Sequence, residues 1–145
     1  MTLPNVLFIG PDKSGSTWLA EVLGAHPEVF VPAAKDTYYF TRFYERGQSW
    51  YEAAFRRVGA EPVVVEVCHD YLFSEPARRR IAGDLPDVRL LVVLRRPSDR
   101  AFSSYLHMRK HGHAQMGIAE ACDAIPELID HGRYATYLRP YVETF

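Results

Sequence analysis

Asn5-Val6-Leu7-Phe8-Ile9-Gly10-Pro11-Asp12-Lys13-Ser14-Gly15-Ser16-Thr17-Trp18-Leu19 begins as a short apolar run and breaks at Gly10-Pro11. It then crosses a loop of small residues carrying a single lysine. Apolar residues resume at helical spacing with Trp18, Leu19, Val22 and Leu23. A strand that turns through a Gly/Ser/Thr loop into a helix is an anion site in outline. Small residues let backbone N–H groups close on a ligand, and the helix N-terminus adds about half a positive charge.

The loop departs from the Walker A pattern in one informative way. Gly10, Gly15 and Thr17 fit that spacing, but Ser16 stands in the lysine position and the lysine, Lys13, lies mid-loop. A Walker lysine reaches forward to β- and γ-phosphates, and the hydroxyl after it holds magnesium. Lys13 precedes the helix instead, a place from which it could meet a group attached to a 5′-phosphate. A plain Gly/Ser turn with a solvated lysine has the same composition.

The bulk numbers narrow the setting. At 145 residues the chain fits one domain, residues 1–145, with enough length to bury a core. Its 48% hydrophobic and 24% charged content is ordinary for a soluble globular protein. A formal net charge of -1 argues against nucleic-acid and membrane-surface partners, so any anion site must be local. Cys68 and Cys122 follow no metal or disulfide pattern and read as free thiols in a reducing compartment. The N-terminus lacks a basic stretch followed by a long apolar one, and no apolar run is long enough to span a bilayer. The expectation is a cytoplasmic protein.

Outward from the loop, strands alternate with helices. Residues 6–10, 29–31, 62–67 and 88–94 read as strands. Residues 16–24, 48–58, 75–85, 98–111, 118–125 and 133–145 read as helices, the first stopped by His26-Pro27 and the fourth started by Pro97. Residues 33–40 carry aromatics without a clear period. Arg78-Arg79-Arg80 reads as a solvated helix face. This alternation predicts a three-layer α/β sandwich with a largely parallel sheet, whose ligands bind beyond the carboxyl ends of the strands.

Arg95 falls at such an end, on the same edge as the Lys13 loop, and Ser103 lies on the helix leaving it. A guanidinium fork and a hydroxyl aimed at one place suit a phosphate. An arginine there can equally cap a backbone carbonyl or pair with Asp99.

The two segments together resemble the sulfotransferases that use 3′-phosphoadenosine 5′-phosphosulfate. The family's 5′-phosphosulfate loop is similar to Pro11-Asp12-Lys13-Ser14-Gly15-Ser16-Thr17-Trp18-Leu19. Its 3′-phosphate motif is similar to Leu94-Arg95-Arg96-Pro97-Ser98-Asp99-Arg100-Ala101-Phe102-Ser103-Ser104-Tyr105. Lys35-Asp36-Thr37-Tyr38-Tyr39-Phe40 and Glu66-Val67-Cys68-His69-Asp70-Tyr71-Leu72 resemble segments of the bacterial and heparan-sulfate-type branch. Three departures stand out. Arg96 occupies a position that is usually Asp or Asn, and Asp36 one that is usually a glutamate base. The family fold also commonly runs longer, so the resemblance implies that the chain is its N-terminal and central part, incomplete at the C-terminus.

The resemblance implies a P-loop NTPase-like fold and transfer of a sulfuryl group to a hydroxyl or amine. Lys13, Ser14, Gly15, Ser16, Thr17 and Trp18 would hold the 5′-phosphosulfate, and Arg95 and Ser103 the 3′-phosphate. Lys13 would also stabilise the leaving oxygen. Asp36 would take the acceptor proton, with His69 the alternative base. No metal is implied. His107, His111 and His113 lack the companions of a zinc site and read as a polar helix end at the acceptor entrance. Tyr38, Tyr39, Phe40, Phe43 and Tyr44 form either an acceptor wall or core. The acceptor is a small molecule or carbohydrate; oligomeric state carries no signal. Two other functions fit the loop: a magnesium-dependent phosphotransferase, and a nucleotide-binding module without catalysis.

Overall fold

The computed structural model describes residues 2–145, and its sheet follows from how the apolar runs alternate. The strands are β1 (Val6–Gly10), β2 (Val29–Phe30), β3 (Val63–Val67) and β4 (Arg89–Val92). All pair in parallel, in the order β2-β3-β1-β4. Val6 lies opposite both Val65 and Arg89, which sets the register of the three longer strands.

Successive strand residues face opposite sides, and both sides are apolar. Leu7, Ile9, Val64, Leu90 and Val92 enter one cluster; Val6, Phe8, Val65, Val67, Leu91 and Val93 enter the other. That explains the near-continuous apolar runs, since a parallel sheet is covered on both faces. Helix α1 (Ser16–Gly24) covers the second face with Leu19, Ala20 and Leu23. The first is covered by Tyr51 of α2 (Gln48–Glu52), Ala77 and Ile81 of α3 (Glu75–Asp84), and Tyr141 near the chain end. Leu7, Phe8 and Ile9 are fully buried, each side chain contributing about 1.5–3 kcal/mol. The three-layer architecture matches the expectation from the strand–helix alternation.

Helices α4 (Pro97–Lys110), α5 (Ile118–Ala124) and α6 (Glu127–Asp130) gather around a satellite core of Tyr105, Ala114, Ala121 and Leu128. Helix α7 (Tyr134–Thr144) returns to the sheet, where the Tyr141 hydroxyl donates to the Tyr71 carbonyl at 2.7 Å.

Strands β2 and β4 are shorter than the runs that predict them, α6 is an added turn of helix, and two further segments differ from expectation. Residues 48–58 divide into α2 and a tight turn at Ala53–Phe55, which together bury Tyr51 and Phe55. The arginine triplet is not simply solvated. Arg80 donates to the Phe40 carbonyl at 2.7 Å and lies over the Tyr44 ring, and Arg78 donates to the Thr144 hydroxyl at 2.6 Å. Long side chains on α3 thus tie down two distant segments.

Parallel pairing has one consequence for function. The segments leaving β1, β2, β3 and β4 all start at the same sheet edge, and they carry Lys13, Asp36, His69 and Arg95 respectively.

Candidate active site

Backbone geometry shapes the loop after β1. Gly10 has φ +124°, and a Cβ there would lie 2.5 Å from the His69 carbonyl oxygen. Only glycine permits that approach, which presses the end of β1 against the segment leaving β3. Gly15, at φ +98°, begins α1 without a side-chain cap, and the first turn holds no acidic residue. The N–H groups of Ser16, Thr17 and Trp18 therefore have no partner within the helix and face the loop side.

A cleft of about 540 Å³ opens above this loop. Lys13, Gly15, Ser16 and Thr17 line it from the β1 side, Lys35, Asp36 and Tyr38 from the segment after β2, His69 from that after β3, and Ser103 and His107 from α4. Three non-glycine residues among those described adopt left-handed backbone: Lys13 (φ 59°), Asp36 (φ 59°) and Tyr38 (φ 53°). All three line this cleft. Each such conformation costs about 1–3 kcal/mol, and such costs concentrate where geometry serves function.

Asp36 is fastened on every side. Its N–H donates to the Val67 carbonyl at 2.9 Å. One carboxylate oxygen accepts from the His69 N–H at 3.2 Å and meets His69 Nδ1 at 2.8 Å; the other pairs with Lys35 Nζ. Burial acts to raise the Asp36 carboxyl, but hydrogen bonds from His69 and Lys35 outweigh it and bring it from the ordinary 3.8 to about 2. The folded protein thus keeps this carboxylate where the unfolded chain takes up a proton. Asp36 therefore adds stability that is fully present above about pH 3.8 and is lost as the pH falls through about 2. As the pH is lowered across that window, the free energy of unfolding should fall more steeply in the wild type than in Asp36→Asn.

Beneath Asp36 lies a carboxylate the sequence did not flag. Glu66 is 1% exposed and accepts from the hydroxyls of Thr37, Tyr51 and Tyr71. Burial pushes its carboxyl up, and the three hydroxyls only partly offset that. Through Thr37 it anchors the strained segment 36–38. A lone charged residue in an otherwise β-branched strand was the available signal.

Arg100 was also missed as a site residue. It is 1% exposed, bonds Asp12 at 3.2 Å, and donates to the carbonyls of Glu127 and Leu128. Asp12 also meets Ser104 at 3.4 Å and His131 at 3.9 Å. Burial opposes ionisation of Asp12, yet His131 and Arg100 hold its carboxyl below the ordinary range. The trace in the sequence was register, since Arg100 shares a helical face with the buried Ala101, Ser104 and Tyr105.

The expected residues sort as follows. Lys13, Gly15, Ser16, Thr17, Asp36, His69 and Ser103 line the one cleft. Arg95 does not line it but adjoins it, its exposed guanidinium donating to the Lys13 carbonyl at 3.2 Å. Arg96, rather than Arg95, reaches Asp99, at 4.0 Å. Neither Ser14 nor Trp18 lines the cleft: the Ser14 hydroxyl donates to the Pro11 carbonyl at 2.6 Å, and the Trp18 ring is 66% exposed.

The aromatic group that read as either an acceptor wall or core is divided. Tyr39 and Phe40, in a five-residue π-helical turn (Tyr39–Phe43), are buried among Tyr51 and Tyr71. Tyr38 faces the cleft, and Phe43 lines a neighbouring cavity with Trp50. His107 lines the cleft, with the His111 ring 4.4 Å away. Among the described residues no group of three or more His, Cys, Asp and Glu side chains is arranged to hold a metal.

The sequence pattern of the sulfotransferase domain family matches residues 3–145. Relatives include mouse heparan sulfate glucosamine 3-O-sulfotransferase 6, 36% identical over 102 residues, covering 70% of this chain and 30% of that protein. Mouse bifunctional heparan sulfate N-deacetylase/N-sulfotransferase 3 is 37% identical over 123 residues, covering 75% of this chain and 13% of that protein. The chain thus spans less than a third of these relatives. The crystal structure of a sulfotransferase from Alicyclobacillus acidocaldarius superposes with a TM-score of 0.90 at 25% identity, covering all of this chain and 70% of that one. With the family pattern running across nearly every residue and the fold shared with a bacterial relative, this chain belongs to the sulfotransferase domain family.

Proposed function

We propose that the protein transfers a sulfuryl group from 3′-phosphoadenosine 5′-phosphosulfate to a hydroxyl or amine acceptor. The observation that carries this is the convergence of four strand-end segments on one rim. They bring Lys13, Asp36 and His69 into a single cleft, with the Arg95 guanidinium against the Lys13 backbone.

The residues present fit such a donor. The open N–H groups at the start of α1, with the Ser16 and Thr17 hydroxyls, suit the 5′-phosphate. Arg95 and Ser103 suit the 3′-phosphate. The donor supplies an electrophilic sulfur. As the acceptor oxygen or nitrogen bonds to it, the bond to the bridging oxygen breaks and that electron pair stays on the departing nucleotide. Lys13 would meet this growing charge, the acceptor proton would pass to the Asp36–His69 pair, and Lys35, in the same cleft, would serve the sulfuryl oxygens. The named relatives act on heparan sulfate, which supports a carbohydrate acceptor.

Adenosine 3′,5′-bisphosphate should raise the melting temperature in the presence of EDTA, because lysine, arginine and a helix end supply the positive field. Arg95→Ala should weaken nucleotide binding by about 1.5–3 kcal/mol, roughly 10- to 100-fold. Mass spectrometry of an acceptor-library reaction should find an added SO₃ group. Nucleotide binding that needs magnesium, with turnover of ATP, would support a phosphotransferase instead.

A further inference from the structure

Asp36 and His69 touch each other, and the contact assigns them different work. Resting on the sulfotransferase reading, we infer that His69 Nε2 takes the acceptor proton while Asp36 serves as its positioning residue. The resemblance alone implies the reverse, a carboxylate base at position 36.

The argument begins with occupancy. Both Asp36 oxygens are engaged, one by the His69 N–H and Nδ1, the other by Lys35. A carboxylate holding three donors has little lone-pair capacity for another proton. It is also the more enclosed partner, its side chain 12% exposed against 27% for His69. The low carboxyl range of Asp36 agrees, since a group ionised down to about pH 2 is a poor proton acceptor near neutrality.

Tautomer follows from the same contact. An ionised Asp36 can only accept, so His69 Nδ1 must carry hydrogen and the neutral ring presents its lone pair at Nε2. No hydrogen bond from another described residue reaches Nε2. The Tyr38 ring meets the imidazole edge-on at 5.8 Å between centroids, which limits its rotation. Its backbone is fixed by the close approach of Gly10. The ring borders the large cleft and also a second cavity of about 200 Å³ lined by Asp70, Phe73 and His131. An oriented imidazole between a carboxylate and open space is the arrangement that activates hydroxyl nucleophiles in other enzymes.

The test joins two measurements. Long-range ¹H–¹⁵N spectra at about pH 8, above the ordinary histidine range, should show His69 with hydrogen on Nδ1 and none on Nε2. Transfer from 3′-phosphoadenosine 5′-phosphosulfate is then followed with an unsulfated glucosamine-containing oligosaccharide. His69→Gln should lower kcat about 100-fold while adenosine 3′,5′-bisphosphate affinity stays within about threefold. Asp36→Asn should lower kcat by less and, in the same spectra, let the neutral ring populate the Nε2–H tautomer. An Nε2–H tautomer in the wild type, a His69→Gln enzyme with near wild-type kcat, or a tautomer unchanged in Asp36→Asn would each overturn the assignment. Wild-type protein that transfers no SO₃ to this or any library acceptor would instead overturn the sulfotransferase reading on which it rests.

Discussion

On the proposed function, Lys13→Ala should lower kcat for sulfuryl transfer about 100- to 1,000-fold, the usual effect of removing one donor from a site of developing negative charge. The backbone places this ammonium, because Lys13 holds a left-handed conformation between β1 and the open N-terminus of α1. Its attraction grows as the sulfur–oxygen bond breaks, so the loss falls on kcat more than on donor affinity. Steady-state kinetics with varied donor separates the two. A second readout needs no turnover. Burial and the charge of Lys13 hold His107 below the ordinary histidine value, so its pKa should rise in Lys13→Ala. Proton NMR titration of His107 checks this. A variant with unchanged kcat would remove Lys13 from the chemistry.

Arg100→Ala destabilises the protein by about 3–5 kcal/mol, the cost of taking one partner from a buried ion pair. The guanidinium is almost wholly enclosed and joins three elements: Asp12 in the loop after β1, and the Glu127 and Leu128 carbonyls of α6. Without it the half-buried Asp12 keeps only Ser104 and His131, and two carbonyls lose their donor. Urea unfolding should show a lower midpoint with little change in slope. Asp12→Asn in the same background should cost less than on its own, because the orphaned charge is then already absent. Additive losses would mean that the two side chains do not act as a pair. Since Arg100 braces the Lys13 loop from behind, the variant should also bind adenosine 3′,5′-bisphosphate more weakly.

Much of the donor side was legible before any coordinates. Gly10 and Gly15 mark turns that only glycine tolerates at those angles, and Lys13 stands between them. The continuous apolar runs gave the sheet, since covering both faces leaves no polar alternation to confuse the pattern. The acceptor side was harder to read. Residues 33–40 carry no usable period, and their course is settled by contacts far away in the chain: Thr37 with Glu66, Phe40 with Tyr71, Tyr39 with Tyr51.

Spacing and residue type alone determined the strand–loop–helix units, the parallel sheet and the edge at which the cleft opens, because those follow from periodicity and from glycine's backbone freedom. Tertiary structure alone decided that Arg100 turns inward, that Glu66 supports the strained segment beside the cleft, and that Asp36 spends its lone pairs on His69 and Lys35. The physical reason is range. A helix or strand is specified by neighbours a few residues apart, whereas a buried charge is specified by the partner that folding delivers to it.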